Sequence, residues 1–189
     1  MILDQFQTAG RDLFARGLIS SSSGNMSIRM GDRIIITRRG SMLNGLHERD
    51  LIETGVDKNS RATPLASVEL PVHRAIYQQT SAMAVVHAHP PHAVALSLKE
   101  TGIVPKCPEG LDTIGKVPVL GWDMEVKSGI LAEEIAAALK EHRIIMVRGH
   151  GSFAVGQLLE EAYNITTLME ENCHVCCLLK SLEVGQATE

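Results

Sequence analysis

Aromatic side chains are scarce in this chain, at 3% of residues: one Trp, two Tyr and three Phe. That leaves little surface on which nucleic-acid bases stack. Positive charge is scarce as well, since 18 Lys and Arg stand against 22 Asp and Glu and no basic stripe occurs. Both observations argue against a nucleic-acid partner. Long apolar runs are missing too. The longest stretch without a charged residue, Ala75 to Leu98, holds Gln78, Gln79, three His and two Pro, which rules it out as a lipid-facing span. Asp4, Arg11 and Asp12 interrupt the apolar pattern of the first sixteen residues. No secretory leader and no membrane association are therefore expected, and the cytoplasm is the expected compartment.

Cysteines are few: Cys107, Cys173, Cys176 and Cys177. Cys173-x-x-Cys176 has the spacing of a redox or zinc pair, but it falls inside a long helical pattern with no second pair nearby. It reads as packing. What the chain does have is 189 residues of which 44% are hydrophobic, enough for one domain over 1–189 with a sizeable core and no bridges.

Leu3, Phe6, Gly10, Leu13 and Phe14 recur at steps of three and four, giving a helix closed by Gly17. Met26, Ile28 and Met30 alternate with polar residues, and Gly31-Asp32 turns the chain into Ile34, Ile35 and Ile36, a hairpin. A helix starts near Ser67 with Pro71 in its first turn. A buried strand, Met83 to Val86, ends at His87, and Pro90-Pro91 opens a short helix reaching Leu98. Strands are expected at Val117–Leu120 and Ile144–Val147, with helices at Ile130–Leu139 and Leu158–Leu182. Mixed helices and strands with an early hairpin point to a mixed or largely antiparallel sheet covered by helices.

His87-Ala88-His89 lies at the end of a predicted buried strand, where residues i and i+2 share a face. His150, between Gly149 and Gly151 at the end of a second apolar strand, supplies a third imidazole. Three imidazoles with one open position are the usual plan of a catalytic zinc site. An H-x-H pair by itself leaves a structural role open; the third histidine is what raises the metal reading. Ser22-Ser23-Gly24-Asn25 reads as an anion-binding turn, with a plain loop as the alternative. Arg38 and Arg39 before Gly40 add charge suited to phosphate or to solvent. His92 is near the pair by sequence only, and His47, His73, His142 and His174 fall on helical or turn patterns and read as structural.

From Leu13 to about Cys177 the sequence resembles the class II aldolase/adducin family, its L-fuculose-1-phosphate aldolases above all. The matching stretches are Ser22-Ser23-Gly24-Asn25-Met26-Ser27, Ile36-Thr37-Arg38-Arg39-Gly40, Ser67-Val68-Glu69, Val86-His87-Ala88-His89-Pro90 and the run from Arg148 to Gly156. The resemblance implies an α/β fold: a single-domain three-layer α/β/α sandwich with a central, mostly antiparallel mixed sheet. It implies Zn2+ on His87, His89 and His150, with Glu69 as the acid/base. Gly24, Asn25, Gly40 and Ser67 would cradle the phosphate of a small sugar phosphate. The implied reaction is zinc-dependent cleavage of a ketose 1-phosphate, such as L-fuculose 1-phosphate, to dihydroxyacetone phosphate and a short aldehyde through a metal-stabilised enediolate. A homotetramer is the implied assembly. A decarboxylase, a sugar-phosphate epimerase or a non-catalytic adducin-like scaffold are the alternatives.

Two positions depart from the resembled enzymes. Val68 stands where a second serine is common. The tyrosines expected near Leu111–Gly115 and in the tail are missing, since Tyr77 and Tyr163 are the chain's two. Thr113 falls in the first of those regions.

Overall fold

The computed structural model describes residues 1–121 and 129–186. Helix α1 (Ile2–Ala15) buries Phe6, Ala9, Gly10 and Leu13, and the chain leaves it through Gly17, whose φ of 70° favours glycine. Gly10 answers a different need. A Cβ there would lie 2.1 Å from the Leu43 carbonyl oxygen of the turn packed against the helix.

Strands β1 (Asn25–Met30) and β2 (Arg33–Thr37) form the expected hairpin, with Met30 opposite Arg33 and Gly31 at φ 64° in the turn. The remaining elements are β3 (Leu51–Gly55), α2 (Leu70–Gln79), β4 (Ala84–Ala88), α3 (Pro91–Ser97), β5 (Gly102–Ile103), α4 (Pro108–Thr113), β6 (Val117–Leu120), α5 (Gly129–Ala138), β7 (Ile144–Val147), β8 (Gly151–Gly156) and α6 (Leu159–Gln186). Among the described residues the strands make one sheet of eight, in the order β3-β2-β1-β4-β8-β7-β6-β5. Only β6 and β7 run parallel, joined through α5; every other pair is antiparallel. The sheet is therefore mixed and mostly antiparallel.

Alternation along the central strands sorts the core into two layers. Ala84, Val86 and Ala88 of β4, with Ile144, Met146 and Ala154, pack against α1, α3 and α6. Val85, Ile145, Val147 and Phe153 face the other way, onto α2 and α5. Helices thus cover both faces, an α/β sandwich. Central strands buried on both sides read as continuous apolar runs, which is why β4 and β7 are visible in the sequence. Cys173 and Cys176 are buried on α6 within the first layer. Burial, with Glu170 nearby, pushes the Cys173 thiol up, the behaviour of an inert packing cysteine.

No helix among the described residues is long and apolar enough to cross a membrane.

Candidate active site

The register of β4 fixes the first two histidines. His87 shares the face of Val85 and is 1% exposed, with its ring stacked on Phe153 at a centroid distance of 4.3 Å. His89 follows just past the strand end, its backbone N–H bonded to the Leu18 carbonyl. β8 pairs directly with β4, and the loop Arg148-Gly149-His150 between β7 and β8 carries the third imidazole beside them. Gly149 takes φ 64° in that loop. Gly151 is required by proximity: a Cβ would meet the Ala88 carbonyl oxygen at 2.4 Å, His89 Cδ2 at 2.6 Å and His87 Cε1 at 3.0 Å.

His87 Nδ1 donates to the Ser152 carbonyl oxygen at 2.9 Å, which leaves the Nε2 lone pair directed into the cluster. That Nε2 lies 2.9 Å from His89 Nε2 and 3.2 Å from His150 Nε2. In a tetrahedral zinc site with Zn–N bonds of about 2.0–2.1 Å, ligand nitrogens sit about 3.3 Å apart. The spacing fits. The ligand atoms of all three histidines lie within 4.8 Å of one another, and the cluster is a candidate metal site.

Glu69 approaches from the other layer. It is the residue before α2, and its side chain makes no capping bond to the helix. Instead Oε1 lies 3.1 Å from His150 Nε2, and Oε2 lies 3.2 Å from His87 Nε2 and accepts from Asn25 Nδ2 at 2.6 Å. A lone pair on His87 facing a carboxylate is repulsive unless a cation stands between them, and the donor set therefore fits a divalent metal. Burial would raise the Glu69 carboxyl, but positive charge at the His87 position, with the hydrogen bonds of His150 and Asn25, outweighs it and holds it well below the usual range. Burial lowers His87 to about 3 against the pull of Glu69, and burial with His150 lowers His89. Neutral imidazoles are what metal ligation requires.

The eight residues to which the family resemblance gives a site role, Gly24, Asn25, Gly40, Ser67, Glu69, His87, His89 and His150, all line one cleft of about 290 Å³. Gly24 and Gly40 take φ of 78° and 69°. Gly24 is also crowded, with Ile19 Cγ2 at 2.7 Å and the His87 carbonyl oxygen at 2.9 Å from a Cβ placed there. Val68 lines the same cleft and is 65% exposed, so an apolar side chain stands where the resembled enzymes often offer a hydroxyl. Of the two arginines, Arg38 is held by Asp50 at 2.8 Å. Arg39, also in the cleft, makes no ion pair among the described residues.

Other candidates lie elsewhere. His92 bonds Glu170 through Nδ1 at 2.7 Å and stacks on His174, away from the cleft. Thr113 ends α4 in a separate groove with Arg143 and Glu161, so within this chain it is not at hand for an aldehyde oxygen. No tyrosine lines the cleft among the described residues.

His73, whose helical position spoke only for packing, sits behind Asn25 and is fully buried. Burial lowers its pKa from 6.5 to about 4, against the pull of Glu69. The unfolded chain then takes up a proton before the folded one does. Stability conferred by neutral His73 is full above pH 6.5 and falls by about 1.4 kcal/mol per unit as pH drops toward 4. Between pH 7 and 5 the wild type should lose about 2 kcal/mol more than His73→Gln in urea unfolding. Equal losses would show that His73 is not held neutral.

With the site in view, the class is plain: the chain belongs to the class II aldolase family, residues 4–177 matching the model of the Class II Aldolase and Adducin N-terminal domain. Among its relatives, L-fuculose phosphate aldolase of Methanocaldococcus jannaschii is 31% identical over 176 residues, covering 92% of this chain and 94% of that protein. The 3,4-dihydroxyphthalate decarboxylase of Arthrobacter keyseri is 32% identical over 170 residues, covering 82% of this chain and 68% of the relative. The crystal structure of L-fuculose-1-phosphate aldolase from Thermus thermophilus superposes with a TM-score of 0.90 at 38% identity, covering 96% of this chain and 95% of that one.

Proposed function

We propose that this protein is a zinc-dependent class II aldolase that cleaves a ketose 1-phosphate of the L-fuculose 1-phosphate type to dihydroxyacetone phosphate and a short aldehyde. The observation that carries the reading is the convergence of three imidazole nitrogens and both Glu69 oxygens in one cleft. Zinc suits three neutral imidazoles with an open position, and bound there it would supply the positive charge that a developing oxyanion needs.

The chain's own residues account for the rest. The loop Ser22–Asn25, Gly40 and Ser67 offer backbone and hydroxyl donors for a phosphate, and Arg39 offers its charge. In cleavage the substrate's C4 hydroxyl loses a proton as the C3–C4 bond breaks, and the electron pair of that bond passes to C3 beside the carbonyl. The C4 hydroxyl proton passes to a group at the aldehyde end or to water while Glu69, protonated in the substrate complex, delivers a proton to C3, so that one proton is lost at oxygen and one gained at carbon. In synthesis Glu69 removes the same proton. The reading includes a cytoplasmic homotetramer, in which a neighbouring copy would supply the group at the aldehyde end that this cleft lacks.

Decarboxylation is the second reading, favoured by Val68 in the cleft and by the Arthrobacter keyseri relative. Loss of CO2 next to a carbonyl also leaves an electron pair on carbon, and the same cluster would serve it.

The test begins with the metal content of the purified protein. L-Fuculose, L-rhamnulose and L-ribulose phosphates are then screened for release of dihydroxyacetone phosphate. About one metal per chain and cleavage of at least one ketose 1-phosphate are expected. Metal with CO2 release from 3,4-dihydroxyphthalate or from a 3-oxo acid phosphate, and no aldol cleavage, moves the assignment to a decarboxylase. Absence of both metal and turnover rejects both readings.

A further inference from the structure

Behind Glu69 runs a line of buried polar groups that the reaction as described does not use. Asn25 Nδ2 donates to Glu69 Oε2 at 2.6 Å, so its Oδ1 is the atom that meets His73 Nε2 at 2.5 Å. An amide oxygen only accepts, and His73 Nε2 must carry the hydrogen. His73 Nδ1 is then a bare acceptor, and Ser27 Oγ, 2.6 Å away, donates to it. With that hydrogen spent, Ser27 Oγ accepts from Tyr77 Oη at 2.7 Å. One assignment of hydrogens satisfies every group, and it runs from Tyr77 through Ser27, His73 and Asn25 to the carboxylate. Asn25, Ser27, His73 and Tyr77 are 6%, 0%, 0% and 1% exposed.

The two scaffolds make this line possible. His73 and Tyr77 are spaced by four on α2, and Glu69 occupies its N-cap four residues before His73, a rise of about 6 Å per step. Asn25 and Ser27 are spaced by two on β1, about 6.8 Å. Helix and strand therefore offer polar groups at matching intervals, and they interleave. Burying four polar residues in a core layer otherwise made of Ile, Leu, Val, Ala and Phe is costly unless all are satisfied. Packing alone would be met by apolar side chains at His73 and Tyr77.

We propose that Tyr77, Ser27 and His73 are positioning residues for Glu69: they lock the orientation of the Asn25 amide, and through it the carboxylate that moves the substrate proton. The inference rests on the proton-carrying role of Glu69 proposed above. Flipping the Asn25 amide would place its oxygen against the Glu69 carboxylate, so the lock sets the direction in which the carboxylate is held. His73→Leu removes the lock. His73→Gln retains a donor toward Asn25 and an acceptor toward Ser27.

The first measurement needs no turnover. Nitrogen-15 NMR of the purified protein should show His73 as the Nε2–H tautomer with Nδ1 unprotonated; the opposite tautomer overturns the relay. The second follows solvent hydrogen exchange at the hydroxymethyl carbon of dihydroxyacetone phosphate in the metal-loaded protein. His73→Leu should slow the maximal exchange rate about 10- to 100-fold with bound metal unchanged and KM within about twofold, the size typical for loss of an outer-shell partner. His73→Gln should restore most of it, and Tyr77→Phe, which keeps the ring and folds even if His73→Leu does not, should slow exchange several-fold. Wild-type rates in Tyr77→Phe and in any folded His73→Leu overturn the proposal. Absence of exchange in the wild type itself rejects the role of Glu69, while the tautomer still decides the relay.

Discussion

Replacing His87 with alanine should release the metal. Its Nε2 is the nitrogen nearest to both His89 and His150, and its other nitrogen is fixed by the Ser152 carbonyl. Sharing the roughly 10–16 kcal/mol of a four-ligand zinc site evenly gives about 2.5–4 kcal/mol per ligand, or about 100- to 1000-fold in affinity. Turnover should fall to background at metal concentrations that saturate the wild type. Truncating a ring that is 1% exposed also opens a cavity beside Phe153, at a cost of about 2–4 kcal/mol. His89→Ala separates the two effects, because His89 is only partly buried. It should lose metal to a similar extent with a smaller drop in the unfolding midpoint. Competition with a chromogenic chelator reads the first quantity and urea unfolding the second. Retention of stoichiometric metal by both variants would remove the cluster as the metal site.

Gly151→Ala should weaken metal binding too, by about tenfold less than His87→Ala, without removing a ligand atom. The added methyl meets the Ala88 carbonyl oxygen, His89 and His87 at 2.4–3.0 Å. All three belong to β4 or its end, and β4 pairs with β8 on one side and β1 on the other, so the strand cannot retreat freely. Turning the imidazoles relieves only the contacts with His89 and His87; the Ala88 carbonyl is backbone, so its contact forces β4 and β8 apart at the strand ends that hold the ligands. Overpacking of this kind costs about 1–3 kcal/mol in stability, and misoriented ligands cost about 10- to 100-fold in metal affinity. The same chelator competition reads it. Wild-type affinity in a folded Gly151→Ala would mean that β4 and β8 separate more easily than their pairing implies.

Much of the site was legible in the sequence because its ligands sit at the ends of strands that betray themselves. β4 and β7 are buried on both faces and read as apolar runs, and His87-x-His89 follows from the two-residue period. β8 was not legible: glycines bound it at Gly151 and Gly156, and glycine argues against a strand. Its glycine at 151 is there for the histidines. β3 is short and half exposed, β5 has two residues and α4 six, too little for periodicity to register. His73 and Tyr77 show the deeper limit. Their spacing from Glu69 is helical, but the partners Asn25 and Ser27 lie more than forty residues away on β1. Only the packing of α2 on that strand brings them together.

The three histidines come from the β4–β8 neighbourhood at the middle of the sheet, whereas Ser67, Val68 and Glu69 belong to the segment that leads into α2, in the layer above. The candidate metal cluster and the segment that carries Glu69 are therefore supplied by different elements of the fold. Changes at Ser67 and Val68, which line the cleft without bonding to a histidine, alter what it offers a substrate and leave Glu69 and the imidazole cluster in place.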